Sequence, residues 1–528
     1  MTLGTPSWPP PPQEALSGAQ VRRLTRRATE AHGGGHLSAL IGEFYSVVVA
    51  GAIAWLVVIG AVQALGIQTG GEWSQSRVDP GWLGLAVLVL GLGVILSLFA
   101  RLGPMSIGAG HATWWLPMPA DRAGLLRPRL VVITAVALLL GAAVGGAAGA
   151  ALAGGADLGS ALGLAMPAGA LGSAVAALAC VTGQIRLGAG RPRRVRPLVV
   201  AGDGLVVAGP VLVLLAALTG AGELDLLGAL GPATVVLAAV TAGLVLWCAH
   251  GLERLSGQEL RQRGAIGGHA AGSIQSLDTR ELGRALSVPG LPRTRRRSAA
   301  FRWVKGPALA LVTGDATLML RNPRHLIQLG IGAAVALVPL VAGWPPGLAV
   351  VGYLIGGYLA ALATGEGARL AEMSPVLDRS FPLEAVVVRR VRALWPLAVL
   401  SLWALVVAAA WGWVYGDPGG WLLMGLVAAP TFAAGVLRGA YRQPPDWSRP
   451  LLPGPFGPVP PGIVTAFSRG PDVVVICLIP LLVAVLATGP TAVMVFVQIG
   501  ASAVALAIGC HVPAAPRSPH GPPRTEGN

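Results

Sequence analysis

Asp203 lies in LVVAGDGLVVAGP, an apolar stretch, and a carboxylate in such a setting is a candidate for proton or substrate coupling. Cys248 with His250, and Cys510 with His511, are residue types that bind zinc. Neither pair has the spacing of a zinc finger or ribbon. Both stand at the ends of similar apolar runs, as a duplicated helix end would leave them, so no metal ligands are expected. Asp121-Arg122 and Asp378-Arg379 form the third candidate. The first pair sits in WWLPMPADRAGLLRPR (residues 114–129) and the second in MSPVLDRSFPLEAVVVRRVR (residues 373–392). Each stretch has a proline, the charged pair, an apolar patch and an arginine cluster leading into a hydrophobic run. That order suits an interfacial elbow passing force to or from a cytosolic partner, whereas an Asp-Arg pair alone would only stabilise a loop.

Enzyme signatures are missing. The chain has no HExxH, no GxSxG and no GxGxxG after a strand, so no catalytic or cofactor-binding residue is assigned. A phosphate-binding loop ends in Lys-Ser or Lys-Thr so that backbone amides and the lysine grip the nucleotide phosphates together. The sole lysine, Lys305, is followed by Gly306. The chain therefore carries no Walker-type ATPase of its own.

The elements that must position these residues follow from composition. Of 528 residues, 54% are hydrophobic and 12% charged, and the apolar residues come in runs of about 20, the length that spans a bilayer as a helix. This is an all-α integral membrane protein. Its 75 glycines and 43 prolines would suggest disorder in water, but membrane helices tolerate both and use glycine for close packing. Cys180, Cys248, Cys477 and Cys510 fall in or at the ends of apolar runs and are expected as small core residues.

Twelve spans are expected, at 43–67, 82–101, 130–153, 158–183, 203–220, 230–250, 325–343, 347–364, 393–415, 420–437, 472–488 and 491–511. All 38 basic residues except Arg77 then fall on the side of the termini. Positive charge stays in the cytoplasm, so both termini are placed there, in a bacterial inner membrane. No secretory signal is expected at the N-terminus. The outer loops are short and leave no room for an external catalytic domain.

The chain divides into a cytosolic N-tail (1–42), a first six-span half (43–250), a basic cytosolic linker (251–324), a second six-span half (325–511) and a cytosolic C-tail (512–528). In the N-tail, Leu16, Val21, Leu24 and Ala28 share one helical face opposite Arg22, Arg23, Arg26 and Arg27, a pattern suited to anionic lipid. In the linker, Asp278 with Glu281 marks a helix start and Pro289-Gly290 a stop. Repeat signals extend beyond the elbows. Asp203 with Pro210 matches Asp472 with Pro480, and Gly231-Pro232 matches Gly489-Pro490. These matches keep their order and imply two parallel six-helix repeats. By the same comparison Asp203 is expected at a helix start near Arg194 and Arg196, as Asp472 is before its own span.

WLPMPADRAGLLRPRL and SPVLDRSFPLEAVVVRRVRAL resemble the loop between the second and third spans of bacterial type-2 ABC exporter permeases, and LRNPRHLIQL resembles the entry to their first span. The layout also resembles that of an uncharacterised actinobacterial group of polytopic membrane proteins. The permease resemblance implies a transmembrane subunit served by a separate cytosolic ATP-binding subunit, with Asp121, Arg122, Asp378 and Arg379 as coupling positions. Such permeases have six spans per chain, whereas this chain would hold both halves. Two other readings stay open: an ion- or proton-coupled transporter using Asp203, and a membrane scaffold recruiting a partner through the linker. No nucleic-acid partner is expected, and nothing in the sequence names a cargo.

Overall fold

The computed structural model describes residues 16–31, 78–118, 120–153, 157–187, 196–275, 301–344, 346–374, 376, 381–441, 452–454, 457–459, 469–487 and 489–512. Ten of the described helices are long and apolar enough to cross a membrane. The expected span at 43–67 lies outside the described residues, as do Asp278, Glu281 and Pro289-Gly290. The chain forms two units: residues 1–297 with 341–345, and residues 298–340 with 346–528.

The first unit begins with α1 (Gly18–Ala31). There follow α2 (Pro80–Leu102), the short α3 (Ala109–Trp115), α4 (Arg122–Leu152), α5 (Leu158–Leu187), α6 (Arg196–Thr219), α7 (Leu226–Gly251) and α8 (Gly257–Gln275). Local chemistry sets the starts. Asp79, Asp121 and Asp225 cap α2, α4 and α7 by accepting backbone amide hydrogens, and Pro80 opens α2 where a missing amide costs nothing. Long contacts join α4 to α5 and α2 to α6 antiparallel and α5 to α7 parallel, with α2 also touching α4 and α5. Glycine sets the closeness of α4 and α5. A Cβ on Gly141 would lie 2.2 Å from the Gly169 carbonyl oxygen, and one on Gly145 would lie 2.1 Å from that of Ala165. Within this contact Ser173 Oγ donates to Ala137 O at 2.5 Å.

The second unit contains α9 (Gly306–Leu320), α10 (Pro323–Val341), α11 (Pro346–Thr364), α12 (Glu366–Met373), α13 (Ala385–Tyr415) and α14 (Pro418–Ala440). A short antiparallel pair follows, β1 (Leu452–Gly454) and β2 (Gly457–Val459). The unit ends with α15 (Pro471–Cys477), α16 (Ile479–Leu486) and α17 (Ala492–Cys510). Its neighbours are α13 with α14, α14 with α17, α11 with α13 and α14, and α11 with α15 and α16. The same neighbour relations recur in chain order in the two units. The core is aromatic, built on Tyr353, Trp403, Trp411, Trp421 and Phe432. Gln328 ties α10 to α11 by donating to Leu359 O at 2.9 Å.

Two elements differ from the expected layout. The stretch at 472–488 is not one unbroken helix: α15 and α16 meet at Leu478, because Pro480 supplies no amide hydrogen and crowds the preceding turn. The stretch at 251–324 is not only a linker, since its C-terminal part is α9, an apolar helix with Leu311, Thr313, Asp315 and Met319 buried. Outer surfaces are apolar. Val235, Val236 and Leu246 of α7 are exposed, as are Val493, Phe496 and Val497 of α17. A water-soluble unit would hide such faces, and lipid is the solvent that suits them.

Candidate functional site

In the first unit the expected elbow is a built structure. Asp121 is the N-cap of α4, its Oδ2 accepting from Gly124 N at 2.9 Å. Its own amide donates to Leu16 O at 3.1 Å, so the segment before α1 is pinned to the elbow. The α1 helix lies across the start of α4. Arg22 donates to the Gly124 carbonyl, and Trp115 Nε1 donates to Thr25 Oγ1 at 3.0 Å. Val21, Trp115 and Leu125 form the buried base. Arg129 donates to Ser106 O and stands over the Trp115 ring at 5.8 Å. Outside this base, Trp114 is 69% exposed and Met118 39%, beside exposed Arg122 and Arg127.

In that arrangement Val21 is buried against the elbow, Leu16 and Leu24 are exposed, and Arg22 donates into the protein. The docked edge is Gly18, Val21, Arg22 and Thr25, positions i, i+3, i+4 and i+7 on one side of the helix.

Asp378 and Arg379 lie outside the described residues. The N-cap of α13 is Glu384, so the position that Asp121 holds in the first unit is taken in the second by Glu384 rather than Asp378. Here α9 and α12 pack over the start of α13, with Leu311, Val388 and Val391 buried. Beneath them Asp315 and Arg392 form an ion pair at 2.8 Å, with side chains 6% and 8% exposed. Gly367 of α12 makes room for it, since a Cβ there would fall 1.8 Å from Asp315 Oδ1. On α12, Arg369 pairs with Glu366 at 3.6 Å and donates to Leu362 O. Burial pushes the Arg369 guanidinium below its ordinary pKa, and Glu366 pulls it back up. This elbow also has an exposed apolar tip, with Met373 at 53% and Val376 at 75%.

Asp203 is not a helix-start residue. Since α6 begins at Arg196, Asp203 lies two turns inside, and its partner is Arg101 in the last turn of α2. Arg101 Nη2 donates to Oδ1 at 2.9 Å and Oδ2 at 2.6 Å. Ser97 Oγ donates to Oδ1 at 2.7 Å and accepts from Arg101 Nε at 3.0 Å. Asp472, in contrast, sits at the start of α15. Its Oδ1 accepts from Gly470 N at 2.7 Å and its Oδ2 from Arg438 Nη2 at 2.9 Å. Cys248 is buried with its thiol 3.5 Å from Thr182 Oγ1, and His250 turns back to Leu246 O at 2.7 Å. Cys510 packs near Ala368, Ala393 and Leu437.

Sequence reasoning missed the Asp315–Arg392 pair and a polar splint at the α15–α16 break. In an unbroken helix Leu481 N would donate to Cys477 O. Instead the amide of buried Gln498, on α17, is inserted between them: Oε1 accepts from Leu481 N at 3.3 Å and Nε2 donates to Cys477 O at 3.0 Å. Gln498 Nε2 also donates to Ser502 Oγ at 3.1 Å, and Ser502 donates to Val427 O at 2.6 Å. A lone glutamine in an apolar span, near a proline in the preceding one, was the available signal.

Together these features define an integral membrane protein of many helical spans, with carboxylate–arginine pairs joining neighbouring helices and two buttressed elbows. The chain belongs to a family of unknown function, DUF6297, whose profile matches residues 73–450. That stretch includes Asp203 and both elbow sequences and stops before α15. No curated protein and no solved structure matches the chain.

Proposed function

We propose that this protein is the permease-like transmembrane subunit of an exporter, driven by a separate cytosolic ATP-binding subunit and not itself an enzyme. One observation carries the reading. Each elbow presents an apolar tip, Trp114 with Met118 and Met373 with Val376, on a buried base that is continuous with a long membrane helix. A tip so mounted can take a push from a partner and pass it into α4 or α13. Matching neighbour relations in the two units support a duplicated plan; with it the reading takes six spans per half, twelve in all, and both termini cytoplasmic in a bacterial inner membrane. In this scheme Asp121 caps one force-bearing helix, Glu384 stands at the N-cap position of the other, and Arg122 is an exposed contact for the partner.

The test is affinity purification of the tagged chain in mild detergent, with mass spectrometry and an ATP hydrolysis assay. A stoichiometric P-loop ATPase is expected to co-purify, and Trp114→Ala with Met118→Ala, or Met373→Ala with Val376→Ala, is expected to reduce its recovery tenfold or more. No ATPase after crosslinking in intact membranes would sink the reading.

The second reading is gradient-driven transport through Asp203, favoured by the placement of that carboxylate two turns inside α6. Its engagement by Arg101 and Ser97 supports a structural role instead. Flux that persists without any ATPase and is abolished by Asp203→Asn, in folded protein, would reverse that preference.

A further inference from the structure

His325 stands at the corner between α9 and α10, with its side chain 6% exposed. The corner itself is open, since Arg321 and Arg324 are exposed on either side. It is built on Asn322. The Asn322 amide donates to Met319 O at 3.1 Å, its carbonyl accepts from His325 N at 3.0 Å, and its Oδ1 accepts from Arg324 N at 3.3 Å. Met319 is buried, and its sulfur accepts from Trp395 Nε1 of α13 at 3.3 Å. The corner therefore helps to hold α9 against the start of α13, the base of the second elbow.

The proton on the ring can be placed from its neighbours. Asn322 Nδ2 lies 3.3 Å from His325 Nε2. A carboxamide nitrogen only donates, so Nε2 is the acceptor and the neutral ring carries its hydrogen on Nδ1. That Nδ1 is buried and has no hydrogen-bond partner among the described residues. Charging the ring makes both nitrogens donors, and Nε2–H would then point at the Asn322 amide hydrogens. Turning the carboxamide over would offer an oxygen, but it would set a donor against Arg324 N and undo the start of α10. Surrounding charges do not resolve the conflict in place. On α12, Glu366 attracts an imidazolium while Arg369 repels it, and Arg324 repels it from its own helix. The one charge of α9, Asp315, is engaged by Arg392. Helix α11 carries no Asp, Glu, Lys, Arg or His. A protonated ring is thus drawn out of the corner towards Glu366.

We propose that His325 is a pH-operated latch: a proton taken up at Nε2 parts the ring from Asn322, opens the corner between α9 and α10 and loosens α9 from the start of α13. The latch acts on the base of the second elbow whether or not an ATPase pushes on its tip, so it stands or falls separately from the exporter reading.

The experiment uses the full chain in phosphatidylcholine nanodiscs, with the four cysteines replaced by alanine and a nitroxide attached through Leu320→Cys, an exposed position at the end of α9. Spin-label mobility is recorded between about pH 7.5 and about pH 5, the range over which an ordinary histidine changes charge. The mobile fraction is expected to rise at least threefold on acidification. His325→Gln, which cannot take up the proton, is expected to keep the ordered spectrum throughout. Asn322→Asp retains the histidine but gives the charged ring an acceptor, while its second oxygen still takes Arg324 N. It is expected to stay ordered as well, and it carries the test if His325→Gln does not fold. A parent spectrum that does not change with pH overturns the proposal. So does acid opening of the same size in either folded variant, which would place the titrating group elsewhere.

Discussion

Asp315 and Arg392 show how far burial changes the consequence of losing one charge. Two ions removed from water are expensive, and their attraction offsets that cost only while both remain. Asp315→Asn would strand a guanidinium that is 8% exposed, and is expected to destabilise the second unit by roughly 3–5 kcal/mol. Asp203 is 29% exposed beside Arg101, so solvent screens what Asp203→Asn leaves behind, and about 1–2 kcal/mol is expected. Thermal melting of the two purified variants compares them directly. A larger loss at Asp203 would show that the burial ranking does not govern these pairs. Neither partner was legible in the sequence. Arg392 lies 77 positions after Asp315, and Arg101 lies 102 positions before Asp203. Separations of that size are set by which helices pack together, which an apolar run length does not encode.

At the scale of elements, the long spans were readable because a bilayer imposes one length on any helix that crosses it. The exceptions fail that rule for identifiable reasons. In α9, fifteen residues fall short of a span, and Asp315 together with Arg302, Lys305 and Arg321 makes the stretch read as a loop. At the α15–α16 break, the apolar run is continuous in sequence while Pro480 interrupts the backbone. Gln498 makes that break tolerable by satisfying Cys477 O and Leu481 N. Gln498→Leu is therefore expected to cost roughly 2–4 kcal/mol by leaving two polar groups bare in apolar surroundings. Combining it with Pro480→Ala is expected to recover much of that loss, since the helix can then close its own bond. Melting temperatures of both single variants and the double variant complete the cycle. Simple additivity would mean that Gln498 and the break are unrelated. The elbows were legible as a repeated order of proline, charge and apolar patch, but their register was not. That Glu384 rather than Asp378 stands at the N-cap position of α13 depends on where the helix starts, which neither sequence copy marks.

For the whole molecule, the decisive quantity is the side on which each arginine-rich end lies. Arg22, Arg101, Arg129 and Arg263 in the first unit all serve its elbow end, as donors to Gly124, Asp203, Ser106 and Arg101 respectively. In the second unit Arg369, Arg389, Arg392 and Arg438 act in the same way on Leu362, His511, Asp315 and Asp472. Basic side chains are thus built into the ends that the positive-inside rule would keep in the cytoplasm. If the elbows meet a cytosolic ATPase, those ends must face that compartment, and the expected twelve-span count requires Ser298 to lie with them and Ser76 opposite. Replacing the four cysteines by alanine and adding Ser76→Cys or Ser298→Cys gives a direct readout with a membrane-impermeant maleimide. Intact cells are expected to label Ser76→Cys at least tenfold more than Ser298→Cys, and permeabilised cells to label both. The reverse pattern would turn the elbows outward, away from ATP, and remove the exporter reading while leaving the helical plan untouched.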